Sequence, residues 1–276
     1  MHIKDIYKFT SMAGLSLSLV LSIASNHAYA EDDAALAQKL ANPIASLISI
    51  PIKVDYNDGY GPKNGENVTI SIQPVIPFQL SDDLALVTRT ILPIAWQDDI
   101  AGNSGEQFGL SDTLQSFFLV PGSVSTPLGT LTYGVGPAVT WPTSTNKLLG
   151  AGTMGLGPTG VFLFQQSGWT YGTLVTQQWG VAESRNNVPD LNLTALQPFL
   201  SYTTKDQWTF GLNTESSYNW TSKEWSAPIN FTVAKLTKIG KQPVQFLVGA
   251  RYWADRPTGG PDGFGVRAQM TFLFPG

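Results

Sequence analysis

The stretch WTFGLNTESSYNW, residues 208 to 220, alternates strictly between two tryptophans. Successive side chains of an extended chain point to opposite faces. Trp208, Phe210, Leu212, Thr214, Ser216, Tyr218 and Trp220 therefore share one face, and Thr209, Gly211, Asn213, Glu215, Ser217 and Asn219 share the other. A period of two predicts a strand without saying which face is inside, and the length decides that. Twelve steps at about 3.3 Å give about 40 Å of strand, and a tilt near 40° projects this to about 30 Å. That is the thickness of a bilayer's hydrocarbon core. The two tryptophans are then spaced like the aromatic girdles of a membrane protein, with the apolar face toward lipid and the polar face toward a lumen.

The same alternation recurs through most of the chain. The segments are Ile48 to Tyr56, Val68 to Leu80, Leu84 to Trp96, Leu110 to Val120, Leu131 to Trp141 and Met154 to Phe164, followed by Trp169 to Val181, Leu191 to Tyr202, Trp208 to Trp220, Trp225 to Leu236, Val244 to Trp253 and Phe264 to Phe274. An even number of strands of this length predicts an all-β fold, a transmembrane antiparallel up-and-down β-barrel of about 12 strands. Links such as YNDGYGPKNGEN and ADRPTGGPDG are long, while SDD, QQSG and TTKDQ are short, matching outer loops and inner turns in alternation. PGSVSTPLG is long for a turn and TSKE is short for an outer loop. Pro51, Pro74, Pro77, Pro93, Pro137, Pro158, Pro198 and Pro228 fall inside the expected strands, where a missing N–H disturbs pairing and predicts bulges. Charged residues are 13% of the chain, against about 25% in soluble domains, which argues against a soluble β-sandwich.

Residues 1–30 have the form of a signal peptide: Lys4 and Lys8, an apolar run from Met12 to Ile23, and the A-x-A site Ala28-Tyr29-Ala30. Export to the bacterial outer membrane follows, with outer-membrane lipid and the barrel assembly machinery as expected partners. Residues 31–46 then form a short N-terminal segment and residues 47–276 the barrel. Ala34 to Ala41 (AALAQKLA) is helix-forming but about two turns long, which predicts a frayed lead-in, with a small plug in the lumen as the alternative.

Removing the signal takes two of 16 basic and one of 20 acidic residues, leaving 14 minus 19, a net charge of −5. It also takes both histidines, His2 and His27, and the chain has no cysteine. Catalysis by Ser-His or Cys-His, and zinc or copper sites, need those residues, so the expectation is a non-enzyme with no cofactor and no metal. The acidic balance leaves no basic patch for nucleic acid.

Alternation places Lys53, Asp55, Arg89, Asp112, Glu215, Arg251 and Arg267 on the lumen face as candidates for the path of a solute. Ring closure sets the last strand beside the first, bringing Arg267 to Lys53 and Asp55. A mixed-sign ring toward the outer mouth can filter by charge or brace the wall. Leu247, Leu273 and Trp253 interrupt the polar lumen, which suits a semi-apolar solute.

The runs QPVIPF (73–78), RTILPI (89–94), QPFLSYTTK (197–205), LNTESSYNW (212–220), PIN (228–230) and the closing RAQMTFLFP resemble bacterial outer-membrane transporters of the MetA-pathway-of-phenol-degradation family. The family's G-L-G-D element stands here as Gly109-Leu110-Ser111-Asp112, with one change. The resemblance spans nearly all of the exported chain. It implies an outer-membrane barrel that moves small hydrophobic or aromatic compounds, and it carries no site residues. A narrow general porin for small polar solutes, and a structural barrel that passes nothing, are the alternatives.

Overall fold

The computed structural model describes residues 33–185 and 190–274, so the signal-peptide segment lies outside the described residues. After a short helix α1 (Asp33–Leu40) come sixteen strand segments. They are β1 (Ile48–Tyr60), β2 (Gly65–Ile72), β3 (Val75–Ser81), β4 (Leu84–Asp98), β5 (Glu106–Leu110), β6 (Thr113–Pro121), β7 (Val124–Thr126), β8 (Gly129–Trp141), β9 (Thr153–Gln166), β10 (Trp169–Glu183), β11 (Asn192–Thr203), β12 (Trp208–Thr214), β13 (Ser216–Asn219), β14 (Glu224–Ile239), β15 (Gln242–Asp255) and β16 (Phe264–Phe274). Three wall strands are interrupted, β2 with β3, β5 with β6 and β7, and β12 with β13, so the sixteen segments make twelve wall strands. Each pairs antiparallel with its neighbours in chain order. The ring closes where β1 pairs with β16, from Ile48 opposite Phe274 to Tyr56 opposite Val266. This is a closed, up-and-down, twelve-stranded barrel.

The interruptions sit where prolines withhold a ladder N–H. Pro74 fills the gap between β2 and β3. The gap at Glu215, between β12 and β13, is flanked by Pro198 of β11 and by Pro228 of β14, where the β14–β15 register also shifts. Pro137 and Pro158 face each other across β8 and β9. The breaks at residues 73–74 and 215 relieve missing donors and let the strands bend, whereas β8 and β9 run unbroken through their prolines.

At the end holding the chain's N-terminal segment, the turns are 82–83, 127–128, 167–168, 204–207 and 240–241. In one of them Ser167 and Gly168 both take positive φ, 49° and 87°, which matches the twist of the strands they join. Among the described residues the far end carries 61–64, 99–105, 142–152, 220–223 and 256–263. Two links differ from expectation. PGSVSTPLG is mostly strand, with β7 continuing the wall past a break at Gly122-Ser123, and β1 and β2 run on into YNDGYGPKNGEN, leaving a four-residue loop.

Burial is inverted relative to a soluble protein. Trp208, Phe210, Leu212 and Trp220 of the decisive stretch are exposed on the outside, and so are Phe78, Val135, Phe162, Phe231, Val248 and Val266. The buried set is rich in Ser, Thr, Asn and Gln pointing inward, including Asn57, Gln97, Thr176 and Asn230. An outward apolar band with an inward polar face is the pattern of a membrane barrel. Indoles near the far rim keep a polar contact, as Trp141 Nε1 donates to Gln115 (3.2 Å) and Trp220 Nε1 to Thr194 (2.8 Å).

Candidate functional site

The lumen is the site, and its two halves differ. Near the closing turns, Val75, Val87, Phe118, Val120, Val161, Leu163 and Leu174 form an apolar wall, and Ile44, 1% exposed, is inserted among them. On the other side Leu36, Ala37, Ala45 and Leu47 pack with Leu236 and Leu273 of the wall. Segment 33–47 is thus held inside the near mouth by two apolar contacts. Its rim is fixed by polar ones: Gln165 Nε2 donates to the Gln38 carbonyl (2.9 Å), and Lys238 pairs with Asp33 (2.8 Å). A helix of eight residues is marginal alone. Wall contacts supply its order, so the frayed lead-in expected from the sequence is not what is observed.

Further along the lumen, β1, β15, β16 and the break after β12 bring five charges together. Arg267 donates to Asp55 (2.7 Å) and to Glu215 (2.7 Å). Arg251 reaches Glu215 at 3.1 Å and Asp55 at 3.5 Å, and Lys53 reaches Asp55 at 3.3 Å and Glu215 at 3.4 Å. All three cations touch both carboxylates. Asn230, itself bonded to Asn213, accepts from Arg251 Nε (2.8 Å), and Trp253 lies over the Arg251 guanidinium at 5.5 Å. Trp253 thus faces the lumen, with its Nε1 donating to Asn57 (3.1 Å). The break at residue 215 frees Glu215 from the ladder and lets its carboxylate reach across to β15 and β16.

The other two candidates stand apart. Arg89, on β4, is six wall strands round the ring from Glu215 and donates to Gln73 Oε1 (3.3 Å). Asp112 lies in the gap between β5 and β6 and anchors the longest described far-end loop, accepting from the backbone N–H of Ser144 (3.1 Å) and Ala151 (2.7 Å). That loop packs over the lumen side of the wall. Gln97 donates to the Leu148 carbonyl (3.0 Å), and a Cβ on Gly109 would meet Thr145 Oγ1 at 1.9 Å. Only glycine allows this approach.

Between segment 39–47 and the charge cluster lies a chamber of about 280 Å³. Its wall is mixed: Leu47, Val75, Leu174 and Phe199 on one part, Lys53, Arg89, Glu215 and Arg267 on the other. Of the apolar lining the sequence singled out Leu247, while Leu47, Val75, Leu174 and Phe199 were not among its candidates. Val75 and Phe199 occupy lumen positions in the QPVIPF and QPFLSYTTK runs, and that parity was the available signal.

No protein-family model matches the chain, so the resemblance to the phenol-degradation family gains no support from that comparison. No curated protein matches it either. Among solved structures, an outer membrane channel from Pseudomonas putida F1 is similar over 83% of this chain and 96% of that one, with a TM-score of 0.64 at 12% identity. The outer membrane phospholipase of Salmonella typhi covers 90% and 99% at 10% identity, with a TM-score of 0.48. A FadL homologue from Pseudomonas aeruginosa covers 84% and 90% at 10% identity, with a TM-score of 0.40. The first likeness defines the class by fold: an outer-membrane β-barrel. At such identities none of the three assigns this chain an activity. One expectation is corrected nonetheless. The expectation of a non-enzyme is not retained, since the solved structures similar to the chain include outer membrane phospholipases.

Proposed function

We propose that the protein is an outer-membrane channel for passive uptake of small hydrophobic or aromatic compounds. The carrying observation is the chamber, part apolar and part charged, enclosed in a barrel whose outer face is apolar. A general pore for sugars has little use for Phe199, Leu174 and Val75 in its lumen, because apolar walls favour dewetting and bind apolar groups. Residues 47–276 form the conducting barrel in this proposal. Segment 33–46 is a plug that shifts to let solute pass, and the lumen cluster of Lys53, Asp55, Glu215, Arg251 and Arg267 borders the path. The likeness to an outer membrane channel supports the fold this requires.

The test is permeation through the refolded protein in liposomes, with protein-free liposomes correcting for leak. Entry of a phenol-sized aromatic above the leak rate, with sugar entry at the leak rate, is expected. Sugar entry with steady ion conductance would make the protein a small porin instead.

A further inference from the structure

We propose that the chamber is an anion-selective binding site for small aryl or alkyl carboxylates, with Arg89 as the group that receives the carboxylate. This deepens the channel proposal by naming the solute class. Lys53, Arg251 and Arg267 are each satisfied by Asp55 and Glu215, while Arg89 has no carboxylate within 4 Å among the described residues. Among Lys53, Arg89, Arg251, Arg267, Asp55 and Glu215, four cations face two carboxylates, an excess of 4 minus 2, or +2, and Lys39 at the chamber wall adds to the positive side. A guanidinium has five N–H donors in a planar fork, and Arg89 spends one on Gln73. Arg89 lines the chamber, where a carboxylate can accept two parallel bonds from the rest of the fork.

The rest of the chamber fits the other end of such a molecule. Val75 pairs in register with Arg89 across β3 and β4, and Leu174, Phe199 and Leu47 complete an apolar surface beside it. A cavity of about 150 Å³ suffices for benzene. About 280 Å³ therefore holds one ring and its carboxylate. Glu215 on the opposite wall repels a second anion and disfavours any pose in which the carboxylate turns away from Arg89. A neutral phenol fills the apolar part and leaves the guanidinium unpaired. A cationic amine faces the excess positive charge.

The experiment is equilibrium dialysis of benzoate, phenol and benzylamine at neutral pH against the full exported chain in nanodiscs, with empty nanodiscs as the blank. Saturable benzoate binding is expected, with phenol weaker and benzylamine at the blank. Arg89→Met is expected to weaken benzoate about tenfold or more, the size of a lost charge-assisted pair, while leaving phenol nearly unchanged. Arg89→Lys keeps the charge and is expected to retain most of the benzoate binding. Benzylamine or phenol binding as tightly as benzoate to the unaltered protein would overturn the proposal even if no variant folds. So would equal benzoate binding by Arg89→Met. Dialysis reads binding without flux, so phenol entering liposomes while benzoate fails to bind removes this site and leaves the channel. Benzoate binding without flux does the reverse.

Discussion

The near and far parts of the lumen solve the same problem in opposite ways. Both must fill the inside of a ring whose outside is committed to lipid. The near part is lined by Val87, Phe118, Val161 and Leu163 and is filled by the chain's own N-terminal segment, with Ile44 as the knob. Apolar contact there is non-directional and graded, so it holds a segment that can leave without stranding a charge. The far part is filled by Asp55, Glu215, Arg251 and Arg267 and a folded loop anchored on Asp112. Charges there depend on one another, and removing one leaves its buried partners short of a counter-charge. On that ground the near filling is the easier of the two to displace.

The largest effect should come from Glu215→Gln. It removes the carboxylate shared by Lys53, Arg251 and Arg267 and leaves those cations with Asp55 alone. We expect a loss of about 3 kcal/mol in barrel stability, the low end for a broken buried pair because Glu215 keeps some access to water. Urea unfolding checks it, and an unchanged midpoint would mean the far cluster is as dispensable as the near contacts.

Ile44→Ala should cost about as much locally and less globally. Truncating a buried isoleucine loses about 2–3 kcal/mol, which falls on docking of segment 33–47 and spares the wall. Faster protease cleavage within 33–47 at an unchanged barrel midpoint is expected. A fall in the barrel midpoint would show that the segment is part of the folded core.

Gly109→Ala sharpens the far side. The added Cβ meets Thr145 Oγ1, so loop 142–152 must shift, at about 1–2 kcal/mol. Altered single-channel conductance with Asp112 in place is the expected readout. The smallest effect belongs to Lys238→Ala, which removes an exposed pair with Asp33. Such pairs contribute about 0.5 kcal/mol or less, so protease sensitivity of segment 33–47 should hardly change.

Much of the wall was legible. Strict alternation from Trp208 to Leu212 places Phe210 outside and Thr209 inside, because the pleat leaves a strand no other choice. Arg267 stands across from Asp55 because ring closure pairs the last strand with the first. Proline and glycine misled in PGSVSTPLG, where turn-forming residues sit in a strand that breaks and continues. Asp112 shares the alternating face with the charge cluster, yet it binds a loop, since a gap in the strand turns it toward backbone N–H groups.

The sequence by itself determined the barrel: a two-residue period, repeated twelve times at bilayer length with few charges, fits a closed membrane wall. It also placed the charged side chains on the inner face. Only the tertiary structure decided what fills the lumen. Burial of Leu36, Ala37 and Ile44 depends on wall residues far away in sequence, and the helix that holds the first two is too short to be stable without them. The pairing of three cations with Glu215, and the lack of a carboxylate in direct contact with Arg89 among the described residues, depend likewise on which strands face across the ring. Alternation reports a side chain's face, and closure of the ring decides its partners.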